Sequence, residues 1–238
     1  MPDRPTLSIV IPAYNEEARI AGTLRETRAF LDRRAGTAEI LVVDDGSRDT
    51  TPALVAAQAS EDARIKLLKQ PQNRGKGAAV RAGMLASRGE RVLFMDADLA
   101  TPLDELARLE AALAAGADIA IASRGLPESQ IIHRQHPLRQ TLGKTFNLLV
   151  RTLSMAGFRD TQCGFKLFTR AAADALFAEA TVDRYAFDVE ILLLARGRFR
   201  VAEVPVVWRH VEESKVSVLR DATRMAYDVA RLRLRLRR

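Results

Sequence analysis

Asp96 and Asp98, two carboxylates spaced i, i+2 directly after the apolar run RVLFM, are the sharpest chemical feature of this chain. Side chains two apart at a strand end point the same way, so the pair can share one divalent ion. Hard oxygen ligands suit Mg2+ or Mn2+, with substrate phosphates completing the shell. The competing reading is a D-x-D that only caps the turn closing a strand. Acids after two other apolar runs weigh against it: Asn15-Glu16 follows 7–11 and Asp44-Asp45 follows 39–43. So many carboxylates at one edge would repel one another unless a cation or a donor-rich ligand sat among them. Asn73-Arg74-Gly75-Lys76-Gly77 precedes a helical stretch and reads as a phosphate cradle, although glycines there also make ordinary turns and the Walker A pattern is absent. Cys163 has no histidine in a partner context and reads as a small buried residue rather than a nucleophile.

Positioning these groups requires a scaffold that brings distant segments to one edge. Strand-like runs at 7–11 (stopped by Pro12), 39–43, 65–68, 91–95 and 118–122 alternate with helical stretches at 18–35, from about 51, at 77–86 and at 102–115. This alternation implies βαβ units and a mostly parallel sheet flanked by helices, a Rossmann-like α/β architecture in a single domain. In such a sheet the ligand lies outside the carboxyl ends of the strands. Further on, 137–155 has helical spacing, 160–168 reads as loop then strand, 171–177 and 187–195 as helices, and 201–207 (VAEVPVV) as a strand with an edge-type proline.

The segments Pro12-Ala13-Tyr14-Asn15-Glu16, Val42-Val43-Asp44-Asp45-Gly46-Ser47, Asn73-Arg74-Gly75-Lys76-Gly77 and Asp96-Ala97-Asp98 stand in the order that resembles family 2 glycosyltransferases. Ser123-Arg124, Arg139, Asp160-Thr161-Gln162-Cys163-Gly164-Phe165-Lys166, Phe187-Asp188-Val189-Glu190 and Ser214-Lys215-Val216 are similar to the polyprenyl-phosphate branch of that family, which includes dolichyl-phosphate glucosyltransferases and dolichol-phosphate mannose synthases. The resemblance runs from about residue 6 to 228. It implies a GT-A fold, with 6–122 as the nucleotide-sugar half, 123–216 as the acceptor half, 217–230 as a C-terminal helix and 231–238 as a basic tail. It implies that Pro12, Tyr14, Glu16, Val43 and Asp45 hold the base and ribose, with Lys76 at the phosphates. Asp96 and Asp98 would engage the diphosphate through the metal, with Ala97 supplying backbone. Arg124, Arg209 and Lys215 would meet phosphates and Arg139 the acceptor phosphate. The mannose synthases often carry a Gln where this chain has Ala100, which tilts the expectation toward UDP-glucose over GDP-mannose as donor.

The reaction so implied is metal-dependent and inverting, a single displacement that moves a hexose to a polyprenyl or dolichyl phosphate. A phosphate monoester has a second pKa near 6 and is already a nucleophile at neutral pH. A hydroxyl acceptor, used by other family members, would need a carboxylate base. Asp160 is the family's candidate for that task; the expectation here is that it orients acceptor or sugar, with deprotonation a minor part of its work.

Composition bounds the alternatives. The chain has 238 residues, 47% hydrophobic, enough for a full core, and one cysteine, so no intramolecular disulfide framework. His133, His136, His210 and Cys163 lack zinc-ligand spacing. No run of 18 apolar residues exists and the N-terminus lacks a signal-peptide layout, giving the expectation of a cytoplasmic protein. Net charge is +7, and residues 217–238 carry seven arginines against two aspartates. Basic charge confined to one end, with no recognition motif, argues against a nucleic-acid-binding module. The expectation is peripheral attachment of the tail to an anionic membrane surface.

Overall fold

The structure is a computed structural model that describes residues 4–132, 157–209, 228, 231, 232 and 235. The helix expected over 137–155 lies outside them. Strands β1 (Leu7–Ala13), β2 (Ala38–Asp44), β3 (Ile65–Lys69), β4 (Arg91–Met95) and β5 (Ile119–Ser123) alternate with helices α1 (Ile20–Asp32), α2 (Thr51–Glu61), α3 (Lys76–Ala86) and α4 (Leu106–Ala114). Then come β6 (Gln130–Ile132), β7 (Phe165–Thr169), α5 (Arg170–Glu179), α6 (Phe187–Ala195), β8 (Val201–Pro205) and β9 (Val207–Arg209).

Seven strands form one sheet in the order β3-β2-β1-β4-β7-β5-β8, and β6 pairs with β9 in a small parallel ribbon. Within the large sheet β7 runs antiparallel to both β4 and β5, while the other pairings are parallel. The strand order reverses at β1, which has β2 on one side and β4 on the other, so a ligand crevice opens beyond the carboxyl ends of β1 and β4.

Successive strand residues face opposite layers, as the two-residue period of a strand dictates. Ile9, Ile11, Ile40, Val42, Leu93 and Met95 pack under α1, α2 and α4 through Leu24, Val55 and Leu106. Val10, Leu41, Val43, Val92 and Phe94 pack under α3, α5 and α6 through Val80, Leu176 and Leu192. Both faces are covered, which is why these strands read as continuous apolar runs rather than alternating ones.

Two strand ends differ from the expectation. β1 continues through Pro12, which pairs with Val43, to Ala13. The Ala13 carbonyl accepts from the Asp45 N–H on the β2 side at 2.8 Å, so the nitrogen of Pro12 points the other way, where the pairing of β1 with β4 has already ended at Val10 opposite Phe94. No ladder bond is lost there. The run at 201–207 is split: β8 ends on Pro205 at the sheet edge, Val206 turns inward with 1% exposure, and β9 starts a separate ribbon whose partner β6 was not anticipated.

The fit of α3 on the sheet depends on Gly83. A Cβ at this position would lie 2.4 Å from Val10 Cγ1 and 2.8 Å from Val43 Cγ2. Gly83→Val should cost about 3 kcal/mol through overpacking, measured as a lower urea midpoint with an unchanged m-value.

Candidate active site

The loops after β1 and β2 are locked together before any ligand is considered. The chain turns after β1 with Asn15 at φ 54°, a left-handed conformation that asparagine tolerates better than most residues. The Asn15 N–H donates to Ser47 Oγ at 2.9 Å, the Arg48 N–H donates back to Asn15 Oδ1 at 2.8 Å, and the Glu16 N–H donates to Thr51 Oγ1 at 2.7 Å. Glu16 itself pairs with Arg19 at 2.6 Å. Pro12, Tyr14 and Glu16 are half-buried at this edge. Val43 is fully buried, its side chain against α3 and its backbone in the sheet between Pro12 and Leu68, so the structure does not bring it to the open edge.

Asp45 anchors the next loop. Its buried carboxylate accepts from Asn73 Nδ2 and the Arg74 and Gly75 N–H groups at 2.8–2.9 Å. Burial nevertheless pushes its carboxyl above the ordinary range. Asn73-Arg74-Gly75 is therefore wrapped around Asp45, and Gly75, at φ 117°, has no room for a side chain: a Cβ would meet the Asp183 carbonyl at 2.4 Å. The same carbonyl accepts from the Ala78 N–H, and the Asp183 carboxylate pairs with Arg74 and Arg81. The loop between α5 and α6 thus clamps the start of α3.

Lys76, the first residue of α3, places Nζ 2.6 Å from Asp96 Oδ1 and over the Phe94 ring. Burial would depress this ammonium, but Asp96, Asp188 and Asp98 together raise it, so it stays charged. Asp96 follows β4, and its N–H donates to the Gly164 carbonyl at 2.9 Å. Gly164 also backs the carboxylate, since a Cβ there would lie 2.0 Å from Asp96 Oδ2. The Ala97 carbonyl is taken by Thr23 Oγ1 at 2.5 Å. Asp98 accepts the Ala100 N–H at 3.0 Å across Leu99, a left-handed residue at φ 52°. Burial and then the charge of Asp96 raise the Asp98 carboxyl. A cavity of about 20 Å³ lies between Asp96, Asp98, Ala100, Thr101, Gly164 and Trp208, room for one water-sized occupant.

The acids at the three strand ends are therefore neutralised mostly by the protein itself: Glu16 by Arg19, Asp45 by backbone donors, Asp96 by Lys76. Among the described residues no three acidic, histidine or cysteine side chains cluster as a complete metal cage. Asp96 and Asp98 form a two-carboxylate, hard-oxygen set at an edge open to ligand, which fits a divalent cation that takes its remaining ligands from a bound phosphate.

Asp160 is held in a full set of donors. Arg124 Nε and Nη2 reach its two oxygens at 2.6 and 2.9 Å, and the Arg124 and Gln162 N–H groups add 3.0 and 3.1 Å bonds. Burial would raise this carboxyl, but Arg124 holds it at about 2. A carboxylate so occupied is a poor proton acceptor, and Arg124, fixed by it, stacks its guanidinium over Trp208 at 5.5 Å. The Arg209 N–H donates to the Ala100 carbonyl at 2.7 Å, tying β9 to the Asp96–Thr101 turn while its side chain is exposed. Cys163 is buried beside Thr101, its thiol pushed up to about 11, which suits a packing role. Arg139 and Lys215 lie outside the described residues.

Lys166, Asp188 and Glu190 stand in segments that carry the family resemblance, but the sequence does not show how they pair. Lys166 on β7 and Asp188 on α6 form a buried ion pair, and Lys166 Nζ also donates to the Cys163 carbonyl at 2.7 Å and lies 5.7 Å from the Phe94 ring centroid. Glu190, also buried, accepts from the Thr181 and Val182 N–H groups. The signal was two acids at the head of an otherwise apolar helix, FDVEILLLA. At the C-terminal end, residues 231, 232 and 235 are helical, although the alternation of Arg and Leu reads as a poor helical stripe: Leu232 is buried and Arg235 donates to Thr181 Oγ1 at 2.5 Å, beside Glu190.

The Asp160 pair sets an acid limit. Its carboxyl lies below its unfolded value, so its contribution, roughly 2 kcal/mol, is complete above pH 4 and lost as pH falls through about 2. The stability gap between the parent chain and Asp160→Asn should be constant from pH 7 to 5 and narrow from pH 4 downward, as read by urea denaturation.

The family model of glycosyl transferase family 2 matches residues 8–177. Dolichyl-phosphate beta-glucosyltransferases of Trichomonas vaginalis and Homo sapiens are 43% and 39% identical to this chain, over 99% and 98% of it and 73% and 77% of their own lengths. In solved structures the fold is shared with glucosyl-3-phosphoglycerate synthase from Mycobacterium tuberculosis, in complex with Mn2+, uridine diphosphate and glucosyl-3-phosphoglycerate, at a TM-score of 0.70 and 20% identity over 98% of this chain and 80% of that one. Mannosyl-3-phosphoglycerate synthase from Rubrobacter xylanophilus gives a TM-score of 0.70 at 23% identity over 97% and 73%. With an acidic pair at the carboxyl edge of a doubly wound sheet and relatives matched along nearly its whole length, this chain belongs to glycosyl transferase family 2.

Proposed function

We propose that this protein transfers glucose from UDP-glucose to a dolichyl or other polyprenyl phosphate, inverting the anomeric centre. The observation that carries the reading is the 36–43% identity to dolichyl-phosphate beta-glucosyltransferases from protists, animals and yeast across at least 95% of this chain. The Asp96–Asp98 pair beside the β1 and β2 loops supports a nucleotide-diphosphate donor. The Mn2+ and UDP in the glucosyl-3-phosphoglycerate synthase complexes support the metal and the base. A divalent ion on Asp96 and Asp98, Mg2+ or Mn2+, would neutralise charge on the departing diphosphate.

This chain's own residues would do the rest. The loops after β1 and β2, with Pro12, Tyr14, Glu16 and Asp45 and with Val43 packed beneath them, shape the pocket for base and ribose. Lys76 and Arg124 direct positive charge at the phosphates, together with Arg209 and Lys215. Preorganised charge of this kind stabilises a leaving group without reorganisation at the moment of reaction. An oxygen of the acceptor phosphate, steered by Arg139, forms the bond to the anomeric carbon. The bond from that carbon to the diphosphate oxygen breaks and its electron pair leaves with the nucleotide. A dianionic phosphate needs no base, consistent with Asp160 serving to fix Arg124 and line the acceptor side. GDP-mannose as donor and a hydroxyl acceptor are the readings to be separated by experiment.

Among the described residues no helix is long and apolar enough to cross a membrane. For a lipid-linked acceptor, the arginines of the C-terminal end, of which Arg231 is exposed, would hold the protein at an anionic membrane surface, at about 1 kcal/mol each.

Two measurements test this. Radiolabel transfer to dolichyl phosphate in detergent should occur from UDP-glucose, not GDP-mannose, and stop with EDTA. Asp98→Asn should lower kcat by about 10²-fold or more with an unchanged melting temperature. Transfer from GDP-mannose alone would change the donor, and donor hydrolysis without lipid transfer would point to a hydroxyl acceptor. Separately, Arg231→Ala/Arg233→Ala/Arg237→Ala/Arg238→Ala, which keeps Leu232 and Arg235, should weaken sedimentation with phosphatidylserine vesicles about tenfold or more; unchanged binding would remove the tail from the membrane contact.

A further inference from the structure

The ammonium of Lys76 sits where a metal ligand's charge would otherwise be unanswered. Nζ is 2.6 Å from Asp96 Oδ1, and Gly164 lies against the other side of Asp96, its carbonyl accepting the Asp96 N–H. A divalent ion on Asp96 and Asp98 would stand close to the Lys76 ammonium, and the like charges would repel. An arriving divalent ion therefore competes with Lys76 for Asp96. The nearest other acid, Asp188, is already committed to Lys166. The way left is outward, along the partly exposed side of Lys76 (26% of the side chain) toward the crevice.

We infer that Lys76 is a tethered counter-ion which a divalent cation displaces from Asp96, and that the displaced ammonium is taken up by the diphosphate of the incoming nucleotide. The inference rests on the donor-site reading above and adds an order to it: the metal binds weakly alone and tightly with nucleotide. By thermodynamic reciprocity, the nucleotide must then bind more tightly with metal present by the same factor. Lys166 and Asp188 act as positioning residues, keeping Lys76 from an internal alternative partner.

The chain has a single tryptophan, Trp208, lining the cavity beside Asp96 and Asp98, so paramagnetic Mn2+ binding is readable as quenching of its fluorescence. Free Mn2+ measured by electron paramagnetic resonance gives an independent titration. In the parent chain saturating UDP should tighten Mn2+ binding about tenfold or more. In Lys76→Met, Mn2+ without UDP should bind about tenfold more tightly than in the parent, and the effect of UDP should shrink by a similar factor. Lys76→Met should also melt lower than the parent in EDTA and recover more on adding Mn2+. Lys76→Arg, which keeps the charge, should bind Mn2+ no more tightly than the parent and serves if the Met variant does not fold. Equal nucleotide-free Mn2+ affinities in parent and Lys76→Met, with tight binding when UDP is present, would overturn the exchange alone. So would tighter Mn2+ binding by Lys76→Arg. No Mn2+ binding to the parent chain even with UDP would overturn the donor-site reading and the exchange with it.

Discussion

Charge balance around Phe94 is the constraint on which the rest of the site depends. Asp96 and Asp98 sit at the end of β4, with Lys76 on one element and the Lys166–Asp188 pair on two others, and both ammonium groups lie within 6 Å of the same ring. Unpaired, Lys166 or Asp188 would carry a buried-charge penalty of about 3–5 kcal/mol. Together they fix how α3, β4, β7 and α6 meet. The site is therefore poised: its carboxylates are close enough to attract a cation and are kept folded without one by lysines that the fold supplies.

The clamp around the 73–77 loop follows from the same economy of buried groups. Asp45 takes its donors from that loop, and Asp183 answers both Arg74 and the Ala78 N–H. Glu190 satisfies the turn that carries Asp183, and Arg235 reaches that turn from the chain's end. Each buried polar group here needs its partner, so the loop expected to meet phosphates is set by residues more than 100 positions downstream. The C-terminal end is thus a structural neighbour of the donor loop as well as a cluster of positive charge.

Much of this was legible in the sequence, for identifiable reasons. The first five strands could be read because both faces of the sheet are covered, which makes LSIVI, EILVV and RVLFM unbroken apolar runs. The end of β4 just before Asp96 and Asp98 could be read because an apolar run gives way there to two acids. The role of Asp45 as a loop anchor could not, because its donors are backbone N–H groups and Asn73, and hydrogen bonds between loops leave no periodic trace. Pro12 reads as a stop although β1 runs on through it, because the pattern does not reveal which side of β1 lacks a neighbour. Lys76 had the look of a phosphate ligand; that it first serves Asp96 depends on the distance between the ends of α3 and β4. The Lys166–Asp188 pair spans two elements 22 residues apart, and only the odd presence of acids in an apolar helix hinted at it.

The insertion of β7 between β4 and β5 also dictates when the site can exist at all. β4 has no partner on that side until residues 165–169 are available, and β5 reaches the sheet through β7 rather than through β4. A chain emerging vectorially would carry β1–β4 with an unpaired apolar edge across the synthesis of some 70 further residues, the kind of long-range closure that slows folding and invites misassociation. The bond from the Asp96 N–H to the Gly164 carbonyl lies at that edge, so the acidic pair is seated only when residue 164 is in place. The local order of the pair is thus tied to the closure of the sheet.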